Sequence, residues 1–138
     1  MVIKKDRLKT ARINNACRGD GYMDVTKLVE EEAARGRLKA LDIYTLEENC
    51  ALGKHFHVGE SVLLYCISGS GWLDGNGEKV LFEQGDAARF KSGEFYSLRN
   101  ADYHVYEQQN RAPLVVLAGL VRDEHTKPDD APPLIGLC

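Results

Sequence analysis

Short apolar runs separated by turn residues dominate the chain from Leu38 onward. Strand-like segments occupy 38–46, 53–58, 62–68, 79–83, 87–90, 95–99 and 103–108, and a continuously apolar segment follows at 114–121. Asn76-Gly77 has the composition of a tight hairpin turn. Many short strands punctuated by glycine turns predict an all-β sandwich or barrel.

The region before Leu38 has a different pattern and contains one predicted helix. In residues 24–35 the apolar side chains Leu28, Val29 and Ala33 lie near one helical face, and Gly36 can end the helix. Residues 1–22 are polar and are expected to form an arm. We expect 23–122 to form one barrel domain and 123–138, with three of the four prolines, to form a tail without regular structure.

Composition narrows the class of protein. The chain has 138 residues and a net charge of −3, which argues against a nucleic-acid partner. No apolar run approaches membrane-spanning length, and no apolar segment follows the charged N-terminus. We therefore expect a cytoplasmic protein with four reduced, scattered cysteines: Cys17, Cys50, Cys66 and Cys138.

The stretch 49–69 carries the most suggestive chemistry. His55 and His57 are separated by one residue, so on a strand both imidazoles point to the same face. Two imidazoles side by side on a strand can form half of a metal site. The alternative is a pair of surface histidines on an edge strand.

Two motifs resemble those of the cupin superfamily. The cupin motifs are G-x5-H-x-H-x3,4-E-x6-G and G-x5-P-x-G-x2-H-x3-N. The first is matched by His55, His57 and Gly69, with Asn49 at the first glycine position. The second begins at Gly85 and continues through Lys91, Gly93, Tyr96 and Asn100 with the same spacing. The resemblance implies a double-stranded β-helix barrel related to the jelly roll.

The departures from these motifs concern the metal ligands. Val62 stands at the glutamate position and Tyr96 at the third histidine position, so two of the four ligands that the resemblance implies are replaced. Three further side chains are candidate ligands beside His55 and His57: Tyr96, Glu60 and His104. Glu60 lies in the turn VGES, where we expect it to be solvated. A complete site would hold one divalent transition metal (Zn, Fe, Mn or Ni), and a degenerate site would hold none.

Without a metal the same interior can still bind a ligand. Val62, Leu64 and Cys66 are expected to line its wall beside the two histidines and Tyr96. The alternative is that these side chains simply fill a small barrel. Cys66 is expected to be a small buried hydrophobe rather than a nucleophile.

Three functions follow from these features. The favoured hypothesis is a small-molecule-binding cupin with a degenerate metal site. The second is a metal-dependent enzyme of the lyase, isomerase, cyclase or dioxygenase type that uses His55, His57 and Tyr96. The third is a metal-free enzyme in which His57 and Tyr96 act as base and acid. The resemblance also implies a homodimer.

Overall fold

Strands make up most of the regular structure. The computed structural model describes residues 1–29, 36–101 and 111–123. Its ten strands are β1 (Lys9–Asn14), β2 (Tyr22–Lys27), β3 (Leu38–Leu46), β4 (Ala51–His55), β5 (Glu60–Ser68), β6 (Ser70–Gly75), β7 (Glu78–Glu83), β8 (Ala87–Phe90), β9 (Tyr96–Arg99) and β10 (Leu114–Arg122). The prediction of an all-β fold is confirmed.

The strands form two antiparallel sheets. One has the order β1-β2-β3-β10-β5-β8 and the other the order β4-β9-β6-β7. Buried side chains of both sheets, such as Val62 and Val116 from the first and Leu52 and Leu98 from the second, belong to one hydrophobic cluster. The core therefore lies between the two inner faces, as in other jelly-roll-like barrels.

The continuously apolar segment near the end of the chain is a central strand. β10 pairs with β3 on one side and with β5 on the other. Leu114, Val116, Ala118 and Leu120 point inward and are at most 1% exposed, while Val115 and Leu117 on the outer face are half-buried. A strand with neighbours on both edges and cover on one face needs few polar positions, which explains its composition.

The predicted helix over 24–35 is wrong in its described part. Residues 24–27 belong to β2, which pairs with β1 and with β3. Met23 and Val25 alternate on its buried face, so pairing and burial outweigh the weak helical pattern. Residues 30–35 lie outside the described residues. The helical structure described before β2 consists of single 3-10 turns at Lys5–Arg7 and Ala16–Arg18.

Two turns behave as their residue types predict. Asn76 and Gly77 have φ values of 52° and 83° and connect β6 to β7 in a tight hairpin. Asn49, which replaces the first glycine of the first motif, has a φ of 62°. Asparagine tolerates this left-handed conformation better than most residues, so the replacement preserves the turn before β4.

Asn100, the last residue of the second motif, ties the two sheets together. It is fully buried, and its Nδ2 donates to the carbonyl oxygens of Leu46 at 2.8 Å and Ala112 at 3.0 Å. Its Oδ1 accepts a hydrogen bond of 2.6 Å from Arg111 Nε. The end of β3, the end of β9 and the segment before β10 are thereby held at one point.

Several other expectations are settled only in part. The predicted strand 103–108, His104 and residues 124–138 of the tail lie outside the described residues. Cys50 and Cys66 are free thiols, whereas Cys17 is disulfide-bonded, so the expectation that all cysteines are reduced is wrong at Cys17. Within the described ranges, no helix has the length and apolarity needed to span a membrane.

Candidate functional site

The paired strands β4 and β9 bring the candidate residues together. His55 and Tyr96 occupy partner positions of this pair, and their ring centroids are 4.3 Å apart. His57 follows two residues after the end of β4, with its ring centroid 5.3 Å from that of His55. The three side chains are 1–4% exposed. The two imidazoles are therefore interior groups, and the alternative of surface histidines is wrong, although β4 is an edge strand of its sheet.

Hydrogen bonds fix the orientation of both imidazole rings. His55 Nδ1 lies 2.8 Å from the carbonyl oxygen of Gly53. His57 Nδ1 lies 2.8 Å from Glu60 Oε1. A carbonyl and a carboxylate only accept, so each Nδ1 carries the hydrogen and donates it. In a neutral ring with its hydrogen on Nδ1, Nε2 carries the lone pair through which an imidazole binds a metal ion or accepts a hydrogen bond.

Glu60 is part of this interior group, and the expectation that it is solvated is wrong. It is 0% exposed and begins β5. Besides His57, its carboxylate accepts a hydrogen bond of 3.0 Å from Lys39 Nζ. Burial alone would raise the pKa of Glu60, but the hydrogen bonds from His57 and Lys39 and the Lys39 charge outweigh it and lower that pKa. Glu60 is therefore a buried carboxylate that orients His57.

Lys39 is a site residue that sequence analysis missed, and a β-bulge explains why. In the β3–β10 pair, Ala40 is opposite Leu120 and Leu38 is opposite Val121, so the register shifts at Lys39. The extra residue of such a bulge re-aims its side chain. The side chain of Lys39 is only 9% exposed. Simple alternation with the buried Ala40 would have placed it on the outer face, and no local sequence signal marks the bulge.

Burial keeps the site uncharged at His55 and Tyr96. Desolvation lowers the pKa of His55 to about 4, although the hydrogen bond with Gly53 opposes this effect. Desolvation also raises the pKa of Tyr96 well above its ordinary value. The Tyr96 ring stacks on Phe90 with centroids 4.7 Å apart. Near neutral pH these two side chains are thus a neutral imidazole and a neutral phenol.

The three predicted wall residues of β5 lie on its inner face. Val62, Leu64 and Cys66 are at most 2% exposed and alternate with exposed neighbours. The Cys66 thiol is directed to the carbonyl oxygens of Ser68 at 3.5 Å and Gly69 at 3.6 Å. Burial, as the largest effect, raises its pKa, which suits a small buried group better than a nucleophile.

Comparison with known proteins places this architecture. A family model described as "Cupin domain" matches residues 42–104, a range that contains both motifs. Over this range the chain is similar to cupin domains. The fold and the spacing of the two motifs therefore agree with the predicted resemblance to cupins.

Similar proteins share this cupin architecture at low sequence identity. An oxalate-binding protein of Thermotoga maritima is 29% identical over 100 residues, which cover 72% of this chain and 83% of that protein. The crystal structure of a predicted oxalate decarboxylase, also from Thermotoga maritima, has a TM-score of 0.77 at 26% identity and covers 88% of this chain and 99% of its own. A cupin 2 conserved barrel domain protein from Salinispora arenicola has a TM-score of 0.64 at 15% identity, with 88% and 87% covered.

Cupins commonly bind a divalent metal, and the donor atoms present fit half of such a site. The two Nδ1 bonds are the contacts that metal-ligating histidines usually make with carbonyl or carboxylate groups. Glu60 is engaged with His57 and Lys39 and so takes the outer position in such an arrangement. Among residues 1–29, 36–101 and 111–123, no group of three or more His, Cys, Asp or Glu side chains could hold a metal ion. The two imidazoles thus offer nitrogen donors for only half of such a site.

Proposed function

We propose that this cupin binds a small carboxylate ligand, and that His55 and His57 hold a divalent transition-metal ion where the ligand binds. The orientation of the two buried imidazoles carries the proposal, because each uses Nδ1 within the protein and leaves Nε2 available. A bound metal ion would supply positive charge and open coordination positions for carboxylate oxygens.

The charge state of the site supports this pairing of ligand and metal. The neutral imidazole of His55 presents a lone pair and does not attract a carboxylate, which also only accepts hydrogen bonds. Tyr96, as a neutral phenol, has an O–H group that can donate a hydrogen bond. Conversely, two nitrogen ligands bind a divalent ion weakly, since a usable site normally has three protein ligands. A ligand that brings its own oxygen donors would complete the coordination.

The relatives suggest the ligand class. The names of the two Thermotoga maritima proteins both refer to oxalate. Oxalate is a small dicarboxylate whose two carboxylates can chelate one cation, which is the property that an incomplete protein site requires. We therefore take oxalate as the first ligand to test.

Equilibrium dialysis tests the proposal directly. Chelator-stripped protein is dialysed against Mn²⁺, Zn²⁺, Ni²⁺ or Fe²⁺, each with and without oxalate, and bound metal is measured by plasma mass spectrometry. We expect little bound metal without oxalate and close to one ion per chain with it. Acetate, which has one carboxylate, serves as the ligand control and should not replace oxalate.

Two variants locate the effect. His55→Ala/His57→Ala should abolish metal uptake with oxalate, whereas Tyr96→Phe should preserve uptake because the phenol is not a metal ligand. Absence of metal uptake with every ion and ligand would refute the proposal. One ion per chain without oxalate would instead indicate a complete metal site with further protein ligands.

The enzyme alternatives have less support in the geometry. A phenolate ligand from Tyr96 is disfavoured because burial raises the pKa of this phenol. The acid–base pair of His57 and Tyr96 has mixed support: Glu60 orients His57 as a base, but the ring that contacts Tyr96 is that of His55. Formate production from oxalate by the metal-loaded protein, lost in Glu60→Gln, would favour the metal-dependent enzyme over the binding protein.

We also infer that two copies of the chain associate through the outer face of the six-stranded sheet. Leu63, Tyr65 and Ile67 on β5 are 45%, 47% and 38% exposed. Together with Leu41 and neighbouring apolar side chains, this face contains a groove of about 500 Å³. Such a contiguous apolar surface is typical of a protein contact.

Light scattering after gel filtration tests the association. Tyr65→Glu places a charge in the groove and should convert a dimer to a monomer. Val80→Glu, at an exposed position of β7 in the other sheet, is the matched control and should leave the dimer intact. A monomeric wild-type protein would refute the inference. Cytoplasmic localisation remains a prediction from the sequence.

A further inference from the structure

A second cavity lies on the inner face of β1, β2 and β3, and no residue of the histidine pair lines it. Its volume is about 420 Å³, within the usual range for small-molecule sites. Its lining combines apolar and charged side chains: Ala11, Ile13, Val25, Tyr44, Lys9, Thr10, Lys27 and Asp42. The cavity thus has apolar walls and a few polar groups, as ligand sites usually have.

Asp42 is the unusual member of this lining. It is 2% exposed, and its Oδ2 has no hydrogen-bond partner among the described residues. A buried carboxylate oxygen without a donor is destabilising, and natural proteins rarely retain one without a functional reason. Burial also raises the pKa of Asp42, against the opposing charge of Lys27. Asp42 Oδ2 is therefore an acceptor for which the described residues provide no donor.

The neighbours of Asp42 restrict which donor is acceptable. Lys27 is opposite Asp42 in the β2–β3 pair, and Lys9 is opposite Lys27 in the β1–β2 pair. This row carries two ammonium groups and one carboxyl group across three adjacent strands. Each ammonium has three N–H donors, so it can bind a carboxylate oxygen in addition to a partner on the protein. The row matches a molecule with a negative end toward the lysines and a donor toward Asp42.

The next row of side chains indicates the chemistry of the rest of the ligand. Tyr44 is opposite Val25, and Val25 is opposite Ala11, so this row is apolar and adjacent to the charged one. Ile13 extends the same wall. A small branched hydrocarbon group would bury its surface here, while its polar groups reach the charged row.

We propose that this cavity is a second small-molecule site, for a short acid that carries a hydroxyl or ammonium group next to its carboxylate. Asp42 Oδ2 accepts the hydrogen bond from that donor group, and Lys9 and Lys27 attract the carboxylate. The site goes beyond the proposed function, because its lining and its donor chemistry are separate from His55 and His57.

Three probes with one carbon skeleton test the donor requirement. Valine, 2-hydroxyisovalerate and isovalerate carry an ammonium group, a hydroxyl group and no donor, respectively, beside the same branched chain. Each is titrated into ¹³C-methyl-labelled full-length protein, and the shifts of the Ile13, Val25 and Ala11 methyl signals are followed by NMR. We expect valine or 2-hydroxyisovalerate to bind about tenfold or more tightly than isovalerate. Whichever of valine and 2-hydroxyisovalerate binds more tightly identifies the preferred donor as an ammonium or a hydroxyl group.

Variants separate this site from the histidine pair and from a structural role. Asp42→Leu should abolish the donor preference. Without ligand, this variant should melt several degrees higher than the wild type, because a buried carboxylate oxygen that lacks a hydrogen-bond donor is removed. Asp42→Asn, which keeps the side-chain shape, should lose most of the preference for valine. His55→Ala/His57→Ala should retain both the binding and the preference, even where oxalate-dependent metal uptake is lost.

Four results would overturn the inference. They are equal affinity for the three probes, no binding of any probe at millimolar concentration, unchanged binding in Asp42→Leu, and a lower melting temperature of Asp42→Leu without ligand. The last result would mean that the carboxyl stabilises the fold, with ordered water as its partner.

Discussion

The interior chain Lys39–Glu60–His57 gives the sharpest prediction, which is the effect of Lys39→Met. Lys39 Nζ donates to Glu60 Oε2 at 3.0 Å, and His57 Nδ1 donates to Glu60 Oε1 at 2.8 Å. Methionine has similar length but no charge, so the substitution removes one partner of a buried ion pair and leaves the carboxylate in place. Glu60 is 0% exposed, and solvent water therefore cannot replace the lost donor without rearrangement.

The burial of both partners sets the magnitude. Surface ion pairs contribute at most about 1 kcal/mol, whereas breaking a buried pair from one side typically destabilises a protein by about 3–5 kcal/mol. With a Lys39 side chain only 9% exposed, we expect Lys39→Met to lower the free energy of unfolding at pH 7 by about 3 kcal/mol or more. Lys91→Met, at an exposed position, should change it by less than about 0.5 kcal/mol.

The pH dependence distinguishes this mechanism from lost packing. In the wild type the pKa of Glu60 is lowered, so its ion pair stabilises the fold above the unfolded pKa, near 4.3, and this contribution is lost as the pH falls through the folded pKa. Removing Lys39 takes away part of what opposes burial, so the pKa of Glu60 rises relative to the wild type although the His57 hydrogen bond remains. The stability difference should therefore be full at pH 7 and shrink as the pH approaches 4.

Urea denaturation of metal-free protein at several pH values between 7 and 4 measures this difference. Lys39→Arg, which keeps a cation, should recover part of the loss, and Lys39→Met/Glu60→Gln should recover more because no buried charge is left unpaired. A deficit that is the same at pH 7 and pH 4 would contradict the electrostatic explanation. A deficit below 1 kcal/mol at pH 7 would mean that Glu60 finds another donor.

Four further substitutions have definite expected outcomes. The wild type should lose about 3 kcal/mol of stability as the pH falls from 6.5 to 4, because the His55 pKa is lowered to about 4 and the unfolded state takes up the proton first. His55→Leu should remove this loss. An unchanged dependence of stability on pH in the variant would contradict this. Gly53→Ala should destabilise the protein by more than 2 kcal/mol in urea, since a Cβ there would lie 2.0 Å from the Cys17 carbonyl oxygen. Gly77→Ala, with nothing within 4 Å of the added Cβ but a φ of 83°, should cost only about 1 kcal/mol. Asn100→Leu should cost about 3 kcal/mol or more and lower the melting temperature, because it leaves the Leu46 and Ala112 carbonyls without their donor.

Local pattern was enough to predict the strands and some turns. Leu38–Leu46 alternates between buried and half-buried positions over most of its length, and the predicted strand has the observed bounds. Asn76 and Gly77 adopt the left-handed conformations that their residue types favour. The two-residue spacing of His55 and His57 also predicted that both rings share one side, and both are buried within 5.3 Å of each other.

Positions that depend on neighbouring strands were not predictable in this way. Residues 24–27 resemble the start of a helix, but β1 and β3 provide ladder partners on both edges and the core buries Val25. The side chain of Lys39 points inward because the register of the β3–β10 pair shifts at this residue. The residues near Lys39 in sequence do not determine that shift. Glu60 is buried because that inward lysine and His57 compensate its charge.

The sequence by itself thus determined the all-β architecture, the cupin motifs and the placement of the paired histidines, since these depend on side-chain alternation and turn conformation over a few residues. Only the tertiary structure decided which polar groups surround the histidines, and that Asp42 Oδ2 has no hydrogen-bond partner among the described residues. The physical reason is that burial of a charge is tolerated only with a compensating group. That group comes from a strand distant in sequence, whose register is set by pairing across the whole sheet.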